Sequence, residues 1–443
     1  MMRLSKTEPE EIALNEVMKN RGGDAGGNRI RPLADEYVVL FESPDPQSVY
    51  GYSPGIVVLP DGRLIATMDL GGKGVKELEG PKGSRRGYIT QGKIFLSDDK
   101  GRTWRHVHDF PFMHARPFVA GGSLYVIGQC ENIQIMRSDD KGESWTAPVR
   151  LTDSGNWHQA PCNVHEANGN VYLVMENIRE HELTNWPVSQ IEPILMRAKT
   201  DADLTLAESW TFASGLVAEE AIPSGRLDYF GVPFFTEQRA AKPNQVNSAL
   251  VGWLETNVVQ ITDPDHYWHD PSGRTFHLWM RAHTGGTGYA AIAKVVERED
   301  GRMETMLERT PSGKTAAFLP CPGGQMKFHI LYDAITKMYW LLSSQATDSM
   351  TRADRLPAER FDLPNNERHR LQLHFSKNCV DWCFAGLVTA GDSPRQSRHY
   401  ASMAIDGDDL CVLSRSGDAR AKDAHNGNLI TFHRVARFRE LIY

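Results

Sequence analysis

Ser97-Asp98-Asp99-Lys100-Gly101-Arg102-Thr103-Trp104 returns as Ser138-Asp139-Asp140-Lys141-Gly142-Glu143-Ser144-Trp145. Both fit the pattern S-x-D-x-G-x-[ST]-W. A decayed copy is Ser376-Lys377-Asn378-Cys379-Val380-Asp381-Trp382. The chemistry is that of a hairpin turn. Ser and Asp side chains bond turn amides, Gly takes a positive φ, and Trp packs on the sheet. Each full copy ends an apolar strand, GKIFLS at 92–97 and IQIMRS at 133–138. The Asp residues therefore read as turn formers, not as reactive groups.

Working outward, a second element recurs: a polar or small start, an apolar strand, a tight turn and another apolar strand. Its copies are YSPGIVVLPDGRLIATMD (52–69), HARPFVAGGSLYVIGQC (114–130) and HQAPCNVHEANGNVYLVMEN (158–177). They continue with ETNVVQI (255–261) completed by SGRTFHLWMRAH (272–283), then QMKFHILYDAITKMYWLLSS (325–344) and HYASMAIDGDDLCVLSRSG (399–417). Turns such as Asp-Gly, Gly-Gly and Asn-Gly mark each as a hairpin. Six hairpins with trailing strands predict an all-β chain, a six-bladed β-propeller over residues 36–443. The strands EYVVLFE (36–42) and LITFHR (429–434) are expected to close the ring within one blade. Residues 1–35 are expected to form an extended arm. Residues 218–250, with Pro223, Pro233 and Pro243, should be a long connection over one face.

The 443 residues carry 49 Lys and Arg against 56 Asp and Glu, a formal charge of −7. That balance argues against a nucleic-acid partner, which calls for a basic surface. No apolar run approaches the ~18 residues of a membrane span. The segment from Met1 to Ile30 lacks the apolar core of a secretory signal, which predicts a cytoplasmic protein, or a periplasmic or secreted one if a leader has been removed. Six cysteines without CxxC spacing read as buried free thiols rather than a metal site. No cofactor is implied, and the oligomeric state is open.

The S-x-D-x-G-x-[ST]-W turns resemble the Asp-box, or BNR, repeats of sialidase-like propellers. The chain resembles that superfamily over about residues 36–440, and in particular a poorly characterised bacterial group. The shared features of that group are Pro322-Gly323-Gly324-Gln325-Met326-Lys327-Phe328, Trp157-His158-Gln159-Ala160-Pro161 and Ala424-His425-Asn426-Gly427-Asn428. The resemblance implies an axial pocket with an Arg triad for a sugar carboxylate, a Tyr–Glu nucleophile pair and an Asp acid/base. Glu255, in Leu254-Glu255-Thr256-Asn257-Val258-Val259, falls on the family's Glu. Arg281 falls on its second Arg, and Tyr400, in Tyr400-Ala401-Ser402-Met403, on its Tyr. The first Arg is replaced by Tyr52, and the third falls near Lys327. The region of the acid reads Gly83-Ser84-Arg85-Arg86-Gly87-Tyr88, without a carboxylate. Ordinary sialosides are therefore expected to be poor substrates.

The repeat starts and strand ends supply the candidate site. Tyr400, Glu255, His114 and His158 are candidate catalytic groups. Arg281, Lys327, Arg398, Arg116, Tyr52, Gln159, Asp69 and Arg415 are candidate substrate-binding groups. A Glu that takes its proton would activate a Tyr, and Arg or Lys would hold a carboxylate. His114, His158 or Asp69 would replace the missing acid, with His favoured because it titrates near neutrality. The leading expectation is an exo-acting glycoside hydrolase on a terminal acidic or deoxy sugar other than ordinary sialic acid. A polysaccharide lyase acting on a uronate-containing glycan and a non-catalytic glycan-binding propeller are the alternatives. In each case the partner is a glycan, with no nucleic acid and no membrane.

Overall fold

The structure, a computed structural model, describes residues 30–179, 187–222, 228–229, 232–233, 252–284, 286–349, 351, 355–356 and 366–443. Residues 32–443 form one compact unit. The alternating apolar hairpins fold as antiparallel strands, and each hairpin opens a separate sheet. The innermost strands of the six blades begin at Tyr50, Met113, Trp157, Gly252, His329 and Arg398. Blade 1 runs outward through Tyr50–Val58, Leu64–Gly71 and Tyr88–Ser97 to Arg105–Phe110. Blade 4 runs through Gly252–Val259, Thr275–His283 and Tyr289–Glu297 to Met303–Met306. In blade 3 the innermost strand is broken into Trp157–His158 and His165–Ala167.

The ring closes as the flanking strands predict. Blade 6 takes Arg398–Asp406, Asp409–Ser416 and Leu429–Val435 from the C-terminal end of the chain. Its outermost strand is Val38–Glu42 from the N-terminal end. Backbone N–H groups of Leu33 and Ala34 bond Leu387 O and Val388 O of blade 5, so the chain entering blade 6 also borders its neighbour. The expected arm over 1–35 lies outside the described residues up to residue 29. Of the 218–250 connection, a short helix Ala218–Ala221, Ile222 and the paired segments 228–229 and 232–233 are described; the rest lies outside.

Each repeated turn joins the third and fourth strands of its blade. Asp99 accepts bonds from Ser97 Oγ, Thr103 N and Thr103 Oγ1 at 2.7–2.9 Å. Ser97 Oγ accepts from Gly101 N at 2.8 Å, and Trp104 Nε1 donates to Gly101 O at 3.1 Å. Ser138, Asp140, Gly142, Ser144 and Trp145 repeat this pattern. These bonds, the bond from Thr103 first, hold the Asp99 carboxyl down to about 2. Gly101 (φ 86°) has no room for a side chain, since a Cβ there would meet the Phe432 ring at 2.1 Å. All six cysteines are free, five of them buried and Cys383 half-buried.

The core lies between blades, where the apolar faces of adjacent sheets meet. Trp253, Trp279 and Trp340 are fully buried there. Polar side chains near the axis latch one blade to the next. Asn163 of blade 3 acts as a surrogate peptide, donating from Nδ2 to Val258 O at 2.6 Å and accepting from Val258 N at 2.8 Å. Asn257 does the same between blades 4 and 5, with Phe328 O and Ile330 N. Asn163→Ala would leave a buried N–H and C=O of Val258 unpaired. At ~1–3 kcal/mol per unsatisfied group, the loss should be about 2–5 kcal/mol. Equilibrium denaturation checks this, with an unchanged midpoint as the contrary result.

Candidate active site

A shared backbone irregularity builds the site. The innermost strands of blades 1, 2, 4 and 6 each carry a bulge, between Tyr52 and Gly55, Met113 and Arg116, Leu254 and Asn257, and His399 and Ser402. Each bulge holds one non-Gly residue in the left-handed region: Ser53 (φ 48°), His114 (φ 55°), Glu255 (φ 57°) and Tyr400 (φ 50°). Such a residue costs of order 1–3 kcal/mol and breaks the strand's alternation, so its side chain is re-aimed. Three of these four positions carry residues singled out in the sequence. Two residues further on, Gly55, Arg116, Asn257 and Ser402 occupy a deeper layer. Beyond that layer a cavity of about 380 Å³, lined by Gly55, Arg116, Cys162, His329 and Ser402 among others, occupies the other end of the axis.

Tyr400, Glu255 and Arg281 meet. Arg281 Nη1 donates to Tyr400 Oη at 2.7 Å and to Glu255 Oε2 at 3.2 Å. Arg281 Nε donates to Gln325 O at 2.8 Å, which fixes the guanidinium plane. Arg281 and Glu255 are 7% and 2% exposed, so this ion pair is shielded from water. Burial raises the titration of the Tyr400 hydroxyl, Arg281 lowers it, and Glu255 raises it again.

Two further guanidiniums face the same ring. Arg415 Cζ lies 5.3 Å from the Tyr400 ring centroid and 3.9 Å from that of Tyr52. Arg368 Cζ lies 5.6 Å from the Tyr400 ring centroid, and its Nη1 meets His399 Nδ1 at 3.1 Å. Arg415 thus stands over Tyr52, the position where the resemblance implies an Arg. Arg368 was not among the residues read from the sequence. Its segment, Asn366-Glu367-Arg368-His369, belongs to no hairpin repeat and leads into the third strand of blade 5. Neither Arg368 nor Arg415 has a carboxylate within ion-pair distance among the described residues. Burial pushes Arg368 down to about 10.

A second group lies beside the first. The His114 and His158 rings stand edge to face, with centroids 5.2 Å apart. His114 Nδ1 meets Gln129 Nε2 at 2.8 Å, and His158 Nδ1 lies 3.5 Å from Glu176 Oε2. Burial and the Arg85 charge push His114 down to about 3 and His158 well below the usual imidazole range. Both are therefore neutral near pH 7. Two carboxyls shift the other way. Burial lifts Asp69 to about 7 and Glu176 to about 8. Asp69 Oδ1 accepts the His114 N–H at 2.9 Å, and Oδ2 is buried without a hydrogen bond. Glu176 Oε1 is held by Thr256 N and Oγ1 at 3.1 and 2.8 Å.

Neutral buried imidazoles are poor proton donors, whereas burial brings the Asp69 carboxyl near neutrality, which favours Asp69 over His114 and His158 among the candidate acids. Other candidates are diverted as well. Arg398 bonds Ser397 O and Gly417 O and stacks on Tyr37 at 5.0 Å, away from Tyr400. Arg116 donates to Val174 O at 2.7 Å and Asn163 O at 3.3 Å, bridging blades 2 and 3. Gln159 Nε2 donates to Thr256 O at 3.2 Å. Lys327 Nζ bonds Ala401 O and Ser402 Oγ at 2.5 and 3.0 Å, joining blades 5 and 6. The third guanidinium beside Tyr400 is therefore Arg368, not the cation of Lys327. Among the described residues no group of three or more His, Cys, Asp or Glu is arranged to hold a metal ion. No described helix is long and apolar enough to cross a membrane.

No protein-family model matches the sequence, and no curated protein does. Solved structures do match. A protein of unknown function from Dyadobacter fermentans DSM 18053 is 12% identical, covers 91% of this chain and 98% of its own, and superposes with a TM-score of 0.52. The Hadza microbial sialidase Hz136 is 14% identical, with 92% of this chain and 69% of its own covered and a TM-score of 0.53. A Trypanosoma rangeli sialidase mutant displaying trans-sialidase activity is 13% identical, with 94% and 61% covered and a TM-score of 0.50. At such identities the likeness is one of fold. The chain is a divergent six-bladed β-propeller of the sialidase type.

Proposed function

We propose that this protein is a glycosidase that removes a terminal acidic sugar other than ordinary sialic acid. The observation that carries the reading is the buried Tyr400–Arg281–Glu255 network, with Arg368 and Arg415 against the same ring. Of the three guanidiniums only Arg281 is ion-paired among the described residues, and an anionic ligand would supply a partner for the others. In this reading Tyr400 Oη attacks the anomeric carbon, and Glu255 takes its proton in the same step. Asp69, held in its acid form, protonates the leaving oxygen. The solved sialidases resemble this fold, but Tyr52 and the Arg85–Arg86 turn depart from the sialidase pattern. That departure is why the sugar is placed outside ordinary sialic acid.

A second reading has its own support. His114 and His158 are unprotonated near pH 7 and so are free to accept a proton, though burial makes them weak bases, and guanidiniums can neutralise a uronate carboxylate. Such a set also suits a lyase, in which a base removes the proton beside the carboxylate and the glycosidic oxygen leaves.

A screen of diverse acidic glycans for released monosaccharide, with ultraviolet absorbance followed in parallel, tests both readings. Release without an unsaturated product supports the hydrolase, and an absorbance rise supports the lyase. Hydrolysis should fall as pH rises through about 7, because Asp69 then loses the proton it donates. Asp69→Asn should abolish that limb of the profile together with most of the turnover. Rapid release of sialic acid from an aryl sialoside would refute the proposed specificity. Glycan binding with no turnover would leave a binding propeller.

A further inference from the structure

The Gly83–Arg85 strand folds back on Tyr88–Ser97, with Arg85 opposite Tyr88. Arg86 (φ 49°) and Gly87 (φ 80°) make the two-residue turn between them, both in the left-handed region that such a tight hairpin requires. The hairpin is anchored at its base. A Cβ on Gly83 would lie 1.9 Å from Pro111 O, so strand and neighbouring loop are in backbone contact. Arg85 is half-buried. Its one side-chain bond is a long 3.4 Å contact from Nη2 to Asn156 Oδ1, and its Nε is buried without a partner. Among the described residues no carboxylate lies within ion-pair distance of Arg85 or Arg86. Burial, and then the Arg86 charge, push Arg85 down to about 10, which keeps it cationic at neutral pH.

The position of this charge matters as much as its isolation. His114 feels both Arg85 and Arg415, and His158 feels Arg85, Arg86 and Arg281. Contacts also place Arg85 beside the imidazole pair: it bonds Asn156, two residues before His158, and Gly83 of the same strand packs on Cys130, next to the Gln129 that meets His114. A desolvated cation without a partner is costly to keep in a protein. A bound anion would relieve that cost. One anionic group on the ligand satisfies only the Tyr400 side. Beside the two arginines, Tyr88 is 79% exposed at the start of the returning strand and offers a flat face to a sugar ring.

We propose that Arg85, supported by Arg86 and Tyr88, forms a second anion-binding subsite, so that the ligand is an acidic oligosaccharide with anionic groups on two neighbouring sugars. The inference rests on the acidic-glycan reading above and adds to it the charge pattern of the substrate. A carboxylate of a uronate and a sulfate ester share the chemistry that a guanidinium fork recognises.

The test is an immobilised array of acidic oligosaccharides in matched pairs, one member with a single anionic sugar and the other with two adjacent ones. Uronate-only and sulfated sets are kept separate. Wild type and Arg85→Gln are compared, with Arg85→Lys as a second variant that keeps the charge and loses the fork. Wild type should bind the doubly anionic members about tenfold to a hundredfold more tightly, the scale of one charge-assisted contact. Arg85→Gln should lose that preference while binding singly anionic members as before, and Arg85→Lys should fall between. The set that shows the effect identifies carboxylate or sulfate as the second group. Equal binding of both members by wild type, or an undiminished preference in a folded Arg85→Gln, would overturn the subsite and leave the acidic-glycan reading standing. Binding to no acidic glycan would overturn both.

Discussion

Tyr400→Phe should lower turnover by about a thousandfold or more while leaving the fold intact. The substitution removes one hydroxyl, and that hydroxyl is the atom to which Arg281 Nη1 donates at 2.7 Å. If Oη forms the covalent bond to the sugar, its loss takes away the reaction path rather than a fraction of the binding. Each tenfold of rate corresponds to ~1.4 kcal/mol of barrier, so such a drop needs about 4 kcal/mol of lost transition-state stabilisation. The stability change should be far smaller. Arg281 keeps Glu255 and Gln325 O as acceptors, so no buried donor group is orphaned. The aromatic ring still fills its place between Arg368 and Arg415. Ligand affinity and thermal midpoint should therefore stay close to wild type. If Tyr400 merely braced adjacent blades, the midpoint would fall while turnover survived. Steady-state kinetics beside a thermal melt separates the two.

The fold was legible because its signals are local. The Ser97–Trp104 and Ser138–Trp145 turns encode their own hydrogen bonds, and each hairpin carries its apolar strands beside its turn residues. Ring closure could be read from the leftover strands at 36–42 and 429–434. Parts of the site were legible for the same reason: Glu255, Arg281 and Tyr400 sit within hairpin repeats, at recognisable offsets from their turns. Arg368 does not. Its place beside Tyr400 depends on the packing of blade 5 against blade 6, which no local pattern reports. A polar residue just before a third strand was the only trace. Arg398 misled for a different reason. Two residues before Tyr400, it would share that face in a regular strand. The bulge at Tyr400, with its φ of 50°, breaks the alternation and sends the two side chains to different surroundings.

Burial is the other quantity that the sequence hides. His114 and His158 looked suited to acid catalysis because free imidazole titrates near neutrality. Burial and the Arg85 charge keep them neutral, while burial lifts the carboxyls of Asp69 and Glu176 toward neutrality. The polar residues of the ring also divide into two layers. Tyr400, Glu255 and His114 lie at the bulges, while Asn257, Ser402 and Arg116, two residues on, tie blades together. A repeated polar position near a propeller axis thus supplies the proposed catalytic groups in one layer and ties blades together in the next. Only the bulge distinguishes them.

Arg281→Lys should weaken binding of an acidic sugar about tenfold to a hundredfold and cut turnover as well. Arg281 spends its donors on three acceptors: Gln325 O through Nε, and Tyr400 Oη and Glu255 through Nη1. Its two remaining donors, both on Nη2, are left for a ligand carboxylate. An ammonium on a flexible stem has three donors and no fixed plane, so it cannot hold Gln325 O, Tyr400 and Glu255 and also reach a ligand carboxylate. The charge remains, so Glu255 keeps a counterion and the loss of stability should stay near 1–2 kcal/mol. Arg281→Met is the necessary contrast. There the 2%-exposed Glu255 carboxylate would lose its ion pair with Arg281, and removing one partner of a buried pair costs about 3–5 kcal/mol. Calorimetric binding with the acidic ligand, and thermal melts, read the two effects separately. If the lysine variant binds as tightly as wild type, carboxylate recognition rests on Arg368 and Arg415, and Arg281 serves to hold Tyr400 against Glu255.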